Sequence, residues 1–120
     1  MDEFLARDEI LQAHDIKTMV VEVPEWGGRV LVRGLTGTER DEFEESVIET
    51  RGKSTHVKLR NARAKLVSLS IVDSDGERIF TEGDIDALGK KSAAALDRVY
   101  QVAARLSGIS NDDLDELAKN

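Results

Sequence analysis

The residues that could bind a metal or transfer a proton are scattered through the sequence and form no catalytic pattern. The two histidines, His14 and His56, lie in polar stretches, with no cysteine and no second histidine at the spacing of metal ligands. No serine lies in a nucleophile-elbow or phosphate-loop motif. The carboxylates occur in solvated runs, whereas a catalytic acid with a raised pKa needs apolar surroundings. We therefore predict a protein that is not an enzyme, with no catalytic residue, no metal ligand and no cofactor.

The stretch DSDGE comes nearest to a metal-binding motif. Its acidic residues have the spacing of the first three ligands of a calcium loop, at positions one, three and five, which are Asp73, Asp75 and Glu77. That loop requires glycine at its sixth position and glutamate at its twelfth, whereas here Gly76 comes fourth and Asp84 twelfth. The stretch is therefore interpreted as a turn rather than as a calcium site.

The length and composition predict one soluble domain over residues 1–120, in which residues 1–8 are frayed. Hydrophobic residues make up 40% of the chain, and the five aromatic residues leave a core made mostly of Leu, Ile, Val and Ala. The absence of cysteine excludes disulfides and thiolate metal sites. No signal peptide opens the chain, and no apolar run approaches the roughly 18 residues of a membrane span. We therefore expect the protein to stay in the compartment where it is made.

The net charge of −7 disfavours non-specific binding to nucleic acid or to an anionic membrane. The charges are unevenly distributed, because residues 36–50 carry six acids and one base, whereas residues 51–65 carry six bases and no acid. We interpret the two segments as neighbouring helices whose opposite charges face each other or solvent. A basic patch that binds polyanions is the alternative.

Residues 17–35, KTMVVEVPEWGGRVLVRGL, have the pattern of two strands joined by a tight turn. β-Branched residues cluster on both sides of Gly27 and Gly28, which we place at the two central positions of the turn. In that register the alternation of the strands separates an apolar face from a largely charged one. The apolar face is predicted to carry Met19, Val21, Val23, Val30 and Val32.

The same register predicts two contacts between the strands. Glu22 lies opposite Arg33 as an ion pair, and the ring of Trp26 lies against the guanidinium of Arg29. Pro24 cannot donate to a ladder, so its strand is expected at an edge of the sheet. The stretch is interpreted as a hairpin turn rather than a ligand site. Trp26 at its exposed tip is a candidate anchor for a protein partner, unless it folds down over Arg29 or over a helix.

After the hairpin, apolar residues recur with the period of helices. Thr36 and Glu39 form a capping box, and Thr81 and Ser92 are further N-caps. A short helical turn is also expected at residues 9–14. We predict helices over residues 36–50, 57–72, 82–88, 92–108 and from residue 110 onward. The predicted fold class is α+β, a helix-dominated single domain with an N-terminal β-hairpin followed by about four helices.

The last predicted helix begins with a capping box of Ser110 and Asp113 and a hydrophobic staple of Ile109 against Leu114. Leu114 and Leu117 are the only residues on its apolar side. They either pack on the core or offer an apolar surface to a partner, and the sequence leaves both interpretations open.

Several segments resemble the tail assembly chaperones of long-tailed, siphovirus-type bacteriophages. The similarity lies in VPEWGG followed by VRGLTGTERDEFE, in NARAKL, and in LGKKSAAALDRV with the small terminal helix. It extends from about Glu9 to the C-terminus. These strings are not catalytic motifs, and the resemblance rests on their order along the whole chain.

The resemblance implies a small α+β protein that binds the long tape measure protein in the cytoplasm of the host bacterium. It implies that the protein keeps the tape measure protein soluble and helps tail tube subunits polymerise around it. In that family a programmed ribosomal frameshift often produces a second form with a C-terminal extension. The expected partners are the tape measure protein, the tail tube protein and such a longer form. The expected partner-binding residues are Trp26, Leu114 and Leu117.

Other functions stay open at this point. The chain could be a structural tail subunit, such as a connector or tube accessory, that remains in the virion. It could also be an inhibitor that imitates nucleic acid through residues 39–49, although the adjacent basic run would neutralise the field of such a mimic. Self-association is also open, because the edges of a two-stranded hairpin need a helix or a neighbouring strand to cover their backbone groups.

Overall fold

The computed structural model describes residues 3–58 and 60–109. Its helices are α1 (Arg7–Leu11), α2 (Gly37–Val47), α3 (Ala62–Ser70), α4 (Ile85–Gly89) and α5 (Ala93–Leu106). Its strands are β1 (Thr18–Val23), β2 (Gly28–Arg33), β3 (Ile48–Arg51), β4 (Ser54–Val57) and β5 (Ile71–Val72). Short 3-10 turns occur at Pro24–Trp26 and Glu82–Asp84. The helix predicted from residue 110 onward lies outside the described residues.

The main sheet is antiparallel and has the order β1-β2-β5, so that β1 lies at an edge, as Pro24 predicts. α5 packs across β1 and β2, and α3 packs against α2, α4 and α5. The predicted fold class, an α+β domain with its hairpin at the N-terminal end and helices after it, is confirmed. Among the described residues, no helix is both long and apolar enough to cross a membrane.

The core lies where the main sheet meets α2, α3 and α5. The predicted apolar face of the hairpin does turn inward, although Met19 at the edge keeps 42% of its surface exposed. The largest fully buried side chains are aliphatic apart from one aromatic residue and one serine. They are Phe43, Leu66, Ile71, Val23, Val32, Val47, Val67, Val99 and Ser70.

The predicted hairpin register is wrong by four positions, because the turn is longer than two residues. Glu22 lies opposite Arg29 rather than Arg33, and Val23 lies opposite Gly28. Residues 24–26 make one turn of 3-10 helix, and Gly27 ends it in the left-handed region at φ 75°. An even displacement leaves each residue of β1 and β2 on its predicted face, because strand side chains alternate with period two. The apolar pattern was therefore compatible with both registers.

The interpretation of residues 36–65 as two neighbouring helices is wrong. α2 ends at Val47, and the chain then forms a second hairpin of β3 and β4 around Gly52, whose φ is 63°. Gly52 is a turn residue with strands on both sides, rather than the residue that ends a helix. The basic segment is therefore divided between this hairpin and the start of α3, while most of the acids lie in α2.

The helix predicted over residues 57–72 is shorter at both ends. α3 begins after Asn61 and gives way at its end to β5, where Ile71 pairs with Val32 and Val72 with Leu31. β-Branched residues such as Ile71 and Val72 are compatible with both a buried helix end and a strand. Here they form a strand because the edge of β2 is available for pairing. The sheet thereby gains a third strand.

One close backbone approach fixes the end of β2 against the end of α5. A Cβ atom on Gly34 would lie 2.5 Å from the backbone oxygen of Leu106. The Leu35 N–H donates to the Ser107 hydroxyl at 2.9 Å, and that hydroxyl donates to the Ala103 carbonyl at 2.7 Å. Glycine is required at position 34 because no other residue leaves room for this contact.

Candidate partner-binding surface

Trp26 is half-buried and packs against the core, so its predicted position at an exposed tip is wrong. The 3-10 turn is closed by the Gly27 N–H, which donates to the Pro24 carbonyl at 3.0 Å. Arg29 is exposed on β2 opposite Glu22, and the predicted cation–π contact with Trp26 is absent among the described residues. The longer turn carries the indole ring towards α4, which corresponds to the alternative in which the ring folds over a helix.

Trp26 forms one wall of an open cleft of about 460 Å³ between the hairpin turn and α4. We call it the Trp26 cleft. Apolar side chains make most of its surface, and the charged residues lie beside them. It is lined by Glu25, Trp26, Phe80, Asp84, Ala87, Leu88 and Lys91. Its size is within the range in which proteins hold ligands or the side chains of a partner.

An ion pair attaches the hairpin turn to α5. Both terminal nitrogens of Arg98 donate to the carboxylate of Glu25, at 2.6 and 3.0 Å. These hydrogen bonds from Arg98 lower the pKa of Glu25 to about 2. Because Glu25 and Trp26 are adjacent, the pair holds the turn that carries the indole ring. The pair therefore fixes one wall of the cleft.

The indole Nε1 of Trp26 is enclosed and has no hydrogen-bond acceptor among the described residues. An enclosed donor without a partner costs free energy, commonly about 1–3 kcal/mol. The contacts that the structure describes for the ring are therefore apolar ones.

A second polar cluster, centred on Glu39, holds the start of α2 against the sheet. Its carboxylate accepts hydrogen bonds from Arg33 at 2.8 and 2.6 Å, from the Thr36 N–H at 2.9 Å, and from Arg78. The Arg33 guanidinium is the main cause that holds the pKa of Glu39 well below its ordinary value, and burial opposes it. Every acceptor position of this carboxylate is occupied within the protein, so the cluster is structural.

The remaining candidate residues give no sign of a metal site. His14 is exposed, and the backbone of His56 pairs with Glu49 in the second hairpin. The carboxylate of Asp73 accepts the N–H groups of Asp75 and Glu77 at 2.9 and 3.0 Å, so this stretch is a turn. In the parts of the chain that the structure describes, no group of three or more potential ligands could hold a metal ion.

Of the three predicted partner-binding residues, Trp26 alone lies in the described part, where it lines a cleft. Leu114 and Leu117 lie outside it. Phe80 and Leu88 complete the cleft. No local pattern links them to Trp26, because they come from segments more than 50 residues away from it along the chain.

Comparison with known proteins places this fold in a family. A family model described as phage tail assembly chaperone matches residues 7–120. The chain belongs to this family. The resemblance noted in the sequence is thereby confirmed, and the tail assembly chaperone described here shares its role in phage tail assembly with the family.

A solved structure supports the same fold for this tail assembly chaperone. It is titled "Structure of bacteriophage HK97 tail assembly chaperone", and it matches with a TM-score of 0.58. The match is 19% identical in sequence and covers 82% of this chain and 94% of the HK97 chain. At that identity the similarity is one of fold. No curated protein sequence matches this chain.

Proposed function

We propose that this tail assembly chaperone is not an enzyme and that it binds the tape measure protein in the host cytoplasm and assists polymerisation of the tail tube. Family membership supports the role in tail assembly. The Trp26 cleft is the observation that favours binding of an apolar polypeptide segment. A longer, frameshifted form of the chain and the tail tube protein are the further partners that we propose.

The composition of the cleft supports a helical segment as its occupant. An amphipathic helix places apolar side chains at i, i+3 or i+4, and a groove with an apolar floor accepts them. Trp26, Phe80 and Leu88 supply such a floor, while Asp84 and Lys91 offer charges of both signs beside it. A long tape measure protein with apolar stripes needs this kind of cover before the tube encloses it.

The position of Trp26 supports its role as the anchor. Aromatic residues in pre-formed sites dominate the energetics of many interfaces. Trp26 is held by the Glu25–Arg98 pair on one side and by core packing on the other. A partner therefore meets a surface that needs little ordering, which lowers the cost of association.

Co-expression of the chain with the tape measure protein tests the proposal. We expect the wild-type chain to keep the tape measure protein in the soluble fraction. Trp26→Ala should abolish most of this effect. Trp26→Phe should keep the stability of the chain, because it removes the unpaired Nε1, and should weaken capture only in part. Ile79→Ala is the matched control, since Ile79 is 51% exposed and does not line the cleft.

Two outcomes would separate the parts of the proposal. A wild-type chain that leaves the tape measure protein insoluble would overturn the chaperone activity itself. A folded Trp26→Ala variant that captures as well as wild type would overturn only the assignment of the cleft. Mass spectrometry of purified virions addresses the alternative, because a structural subunit would be present in stoichiometric copies and a chaperone would be scarce.

A further inference from the structure

A second cavity adjoins the Trp26 cleft at Phe80. It has a volume of about 300 Å³ and lies between α2, α3 and the 3-10 turn that precedes α4. Phe80 lines both spaces, so they meet at this residue. We call the second one the Phe80 pocket. The two spaces together make a groove that is longer than the cleft alone.

The Phe80 pocket shares the apolar character of the cleft. Leu69, Phe80 and Ile85 line it, and all three are half-buried residues that pack against the core. Trp26 and Leu88 supply the apolar surface of the adjoining cleft. The apolar stripe of a helix therefore finds contacts in both halves of the groove.

The charged groups of the Phe80 pocket divide into those that have a partner within the protein and those that have none. The Lys65 ammonium donates to a backbone carbonyl of α2 at 2.8 Å, and Arg78 donates to the Glu39 carboxylate. Glu42 and Glu82 line the same pocket, and no described residue forms a hydrogen bond or an ion pair with their carboxylates. The unpaired charge of this half of the groove is therefore negative.

The Trp26 cleft has the opposite unpaired charge. The Glu25 carboxylate accepts hydrogen bonds from Arg98. The Asp84 carboxylate accepts the N–H and the hydroxyl of Thr81, at 2.8 and 3.2 Å. Lys91 also lines the cleft and is exposed, and its ammonium has no acceptor in the described part of the chain. The groove thus has an unpaired cation in one half and unpaired carboxylates in the other.

We propose that the groove binds one amphipathic helical segment of a partner protein, with an acidic side chain near one end of its apolar stripe and a basic side chain near the other. The acidic side chain pairs with Lys91, and the basic one pairs with Glu42 and Glu82. This inference rests on the proposed function, because it specifies the chemistry of the segment that the Trp26 cleft binds.

The two halves of the groove also select the orientation of the segment. A lysine or arginine suits the Phe80 pocket, because its methylene groups cover apolar surface while its charged end reaches a carboxylate. In the reverse orientation the basic side chain would meet Lys91, and the acidic one would meet Glu42 and Glu82. Juxtaposed like charges disfavour that arrangement, so the charges fix the register of the apolar contacts.

Binding of designed peptides, measured by fluorescence anisotropy, tests the proposal. Three peptides of about 18 residues, or five helical turns, share one stripe of leucines and differ only in the two residues that flank it. The mixed peptide has glutamate at one end and lysine at the other, and the other two have lysine or glutamate at both ends. The wild-type chain should bind the mixed peptide roughly two- to tenfold more tightly than either of the others. The lysine peptide is the stringent comparison, because the net charge of −7 favours it.

Variants of the chain assign each preference to its residues. Glu42→Gln/Glu82→Gln should remove most of the preference for the mixed peptide over the glutamate peptide. Lys91→Gln should remove most of the preference over the lysine peptide. Asp41→Asn/Glu45→Gln is the matched control, because it removes two exposed acids of α2 that line neither half of the groove. Both preferences should persist in this control.

Three results would overturn the proposal. They are a wild-type chain that binds none of the peptides, one that binds the lysine peptide at least as tightly as the mixed peptide, and a control variant that loses the preferences as Glu42→Gln/Glu82→Gln does. Co-expression with the tape measure protein separates this failure from that of the proposed function. If the wild-type chain still keeps that protein soluble, the chaperone activity stands and only the charge pattern of the bound segment is wrong.

Discussion

Arg33 and Glu39 form a bidentate ion pair, with nitrogen to oxygen distances of 2.8 and 2.6 Å, that fastens the first turn of α2 to the end of β2. Both side chains are largely buried, with 15% and 11% of their surfaces exposed. Arg78 donates to the same carboxylate from a segment 39 residues further along the chain. One carboxylate thus joins three parts of the fold.

Replacement of Glu39 should destabilise the protein substantially. Glu39→Gln leaves the guanidinium of Arg33 without its counter-charge in a largely buried position, and we expect a loss of roughly 2–4 kcal/mol in the free energy of unfolding. Urea denaturation followed by circular dichroism measures it. Glu44→Gln is the control, because its i,i+4 pair with Arg40 contributes only about 0.3–0.5 kcal/mol. Similar losses in both variants would contradict the central role of Glu39.

The same pair should make stability depend on pH in the acid range. The folded protein lowers the pKa of Glu39 from its ordinary value of 4.5, so the folded state binds this proton less readily than the unfolded state. The stabilisation is therefore fully present above about pH 4.5 and is lost as the pH falls. Unfolding curves at several pH values should show the wild-type chain losing stability in acid more steeply than Glu39→Gln. If the stability of the wild type and of Glu39→Gln fell in parallel with pH, the Arg33–Glu39 pair would not be the source of this dependence. Glu25, whose pKa is lowered to about 2, acts in the same direction but lies in a more exposed pair.

Gly34 should not tolerate a side chain. A Cβ atom there would lie 2.5 Å from the Leu106 carbonyl oxygen, so the end of α5 would have to move. We expect Gly34→Ala to lower the free energy of unfolding by about 1–3 kcal/mol. Gly37→Ala is the matched control, because a Cβ atom on Gly37 meets nothing within 4 Å and alanine favours the helix. If Gly34→Ala and Gly37→Ala have the same melting temperature, the close packing of Gly34 on Leu106 is not needed for stability.

Structural features that depend on a few neighbouring residues could be predicted from the sequence. The N–H of Glu39 donates to the Thr36 hydroxyl at 3.2 Å, and the N–H of Ala95 donates to the Ser92 hydroxyl at 3.2 Å, as the capping patterns predict. Each cap depends on residues three positions apart, so its geometry follows from local backbone conformation. The starts of α2 and α5 were therefore predicted correctly.

Features that join distant segments could not be predicted. Glu25 and Arg98 are 73 residues apart along the chain. No pattern in the sequence around either residue indicates that the two form an ion pair. Gly52 suits both the end of a helix and the centre of a hairpin, and its neighbours along the chain do not distinguish the two. The Trp26 cleft has the same origin, because its walls meet only after the hairpin docks on the helices.

Loss of Arg98 should loosen the hairpin turn without unfolding the protein. Trp26 is the only tryptophan, so its fluorescence reports the cleft directly. Arg98→Ala should shift the emission to longer wavelength and increase quenching by acrylamide, while the melting temperature changes little because the ion pair is partly exposed. Arg105→Ala, on the same helix beside Met19, should leave the emission unchanged. An unchanged spectrum for Arg98→Ala would show that core packing alone holds the ring.

Removal of residues 110–120 should weaken capture of the tape measure protein more than it lowers the melting temperature. The core residues of the described part, up to the buried Ile109, stay in place in this deletion. The double variant Leu114→Ser/Leu117→Ser keeps the length of the chain and removes only the apolar side of the predicted helix. If these leucines bind a partner, co-expression shows loss of soluble tape measure protein while thermal melts stay close to wild type. If they instead staple the segment to Ile109, the melting temperature falls and capture is retained by the chains that remain folded.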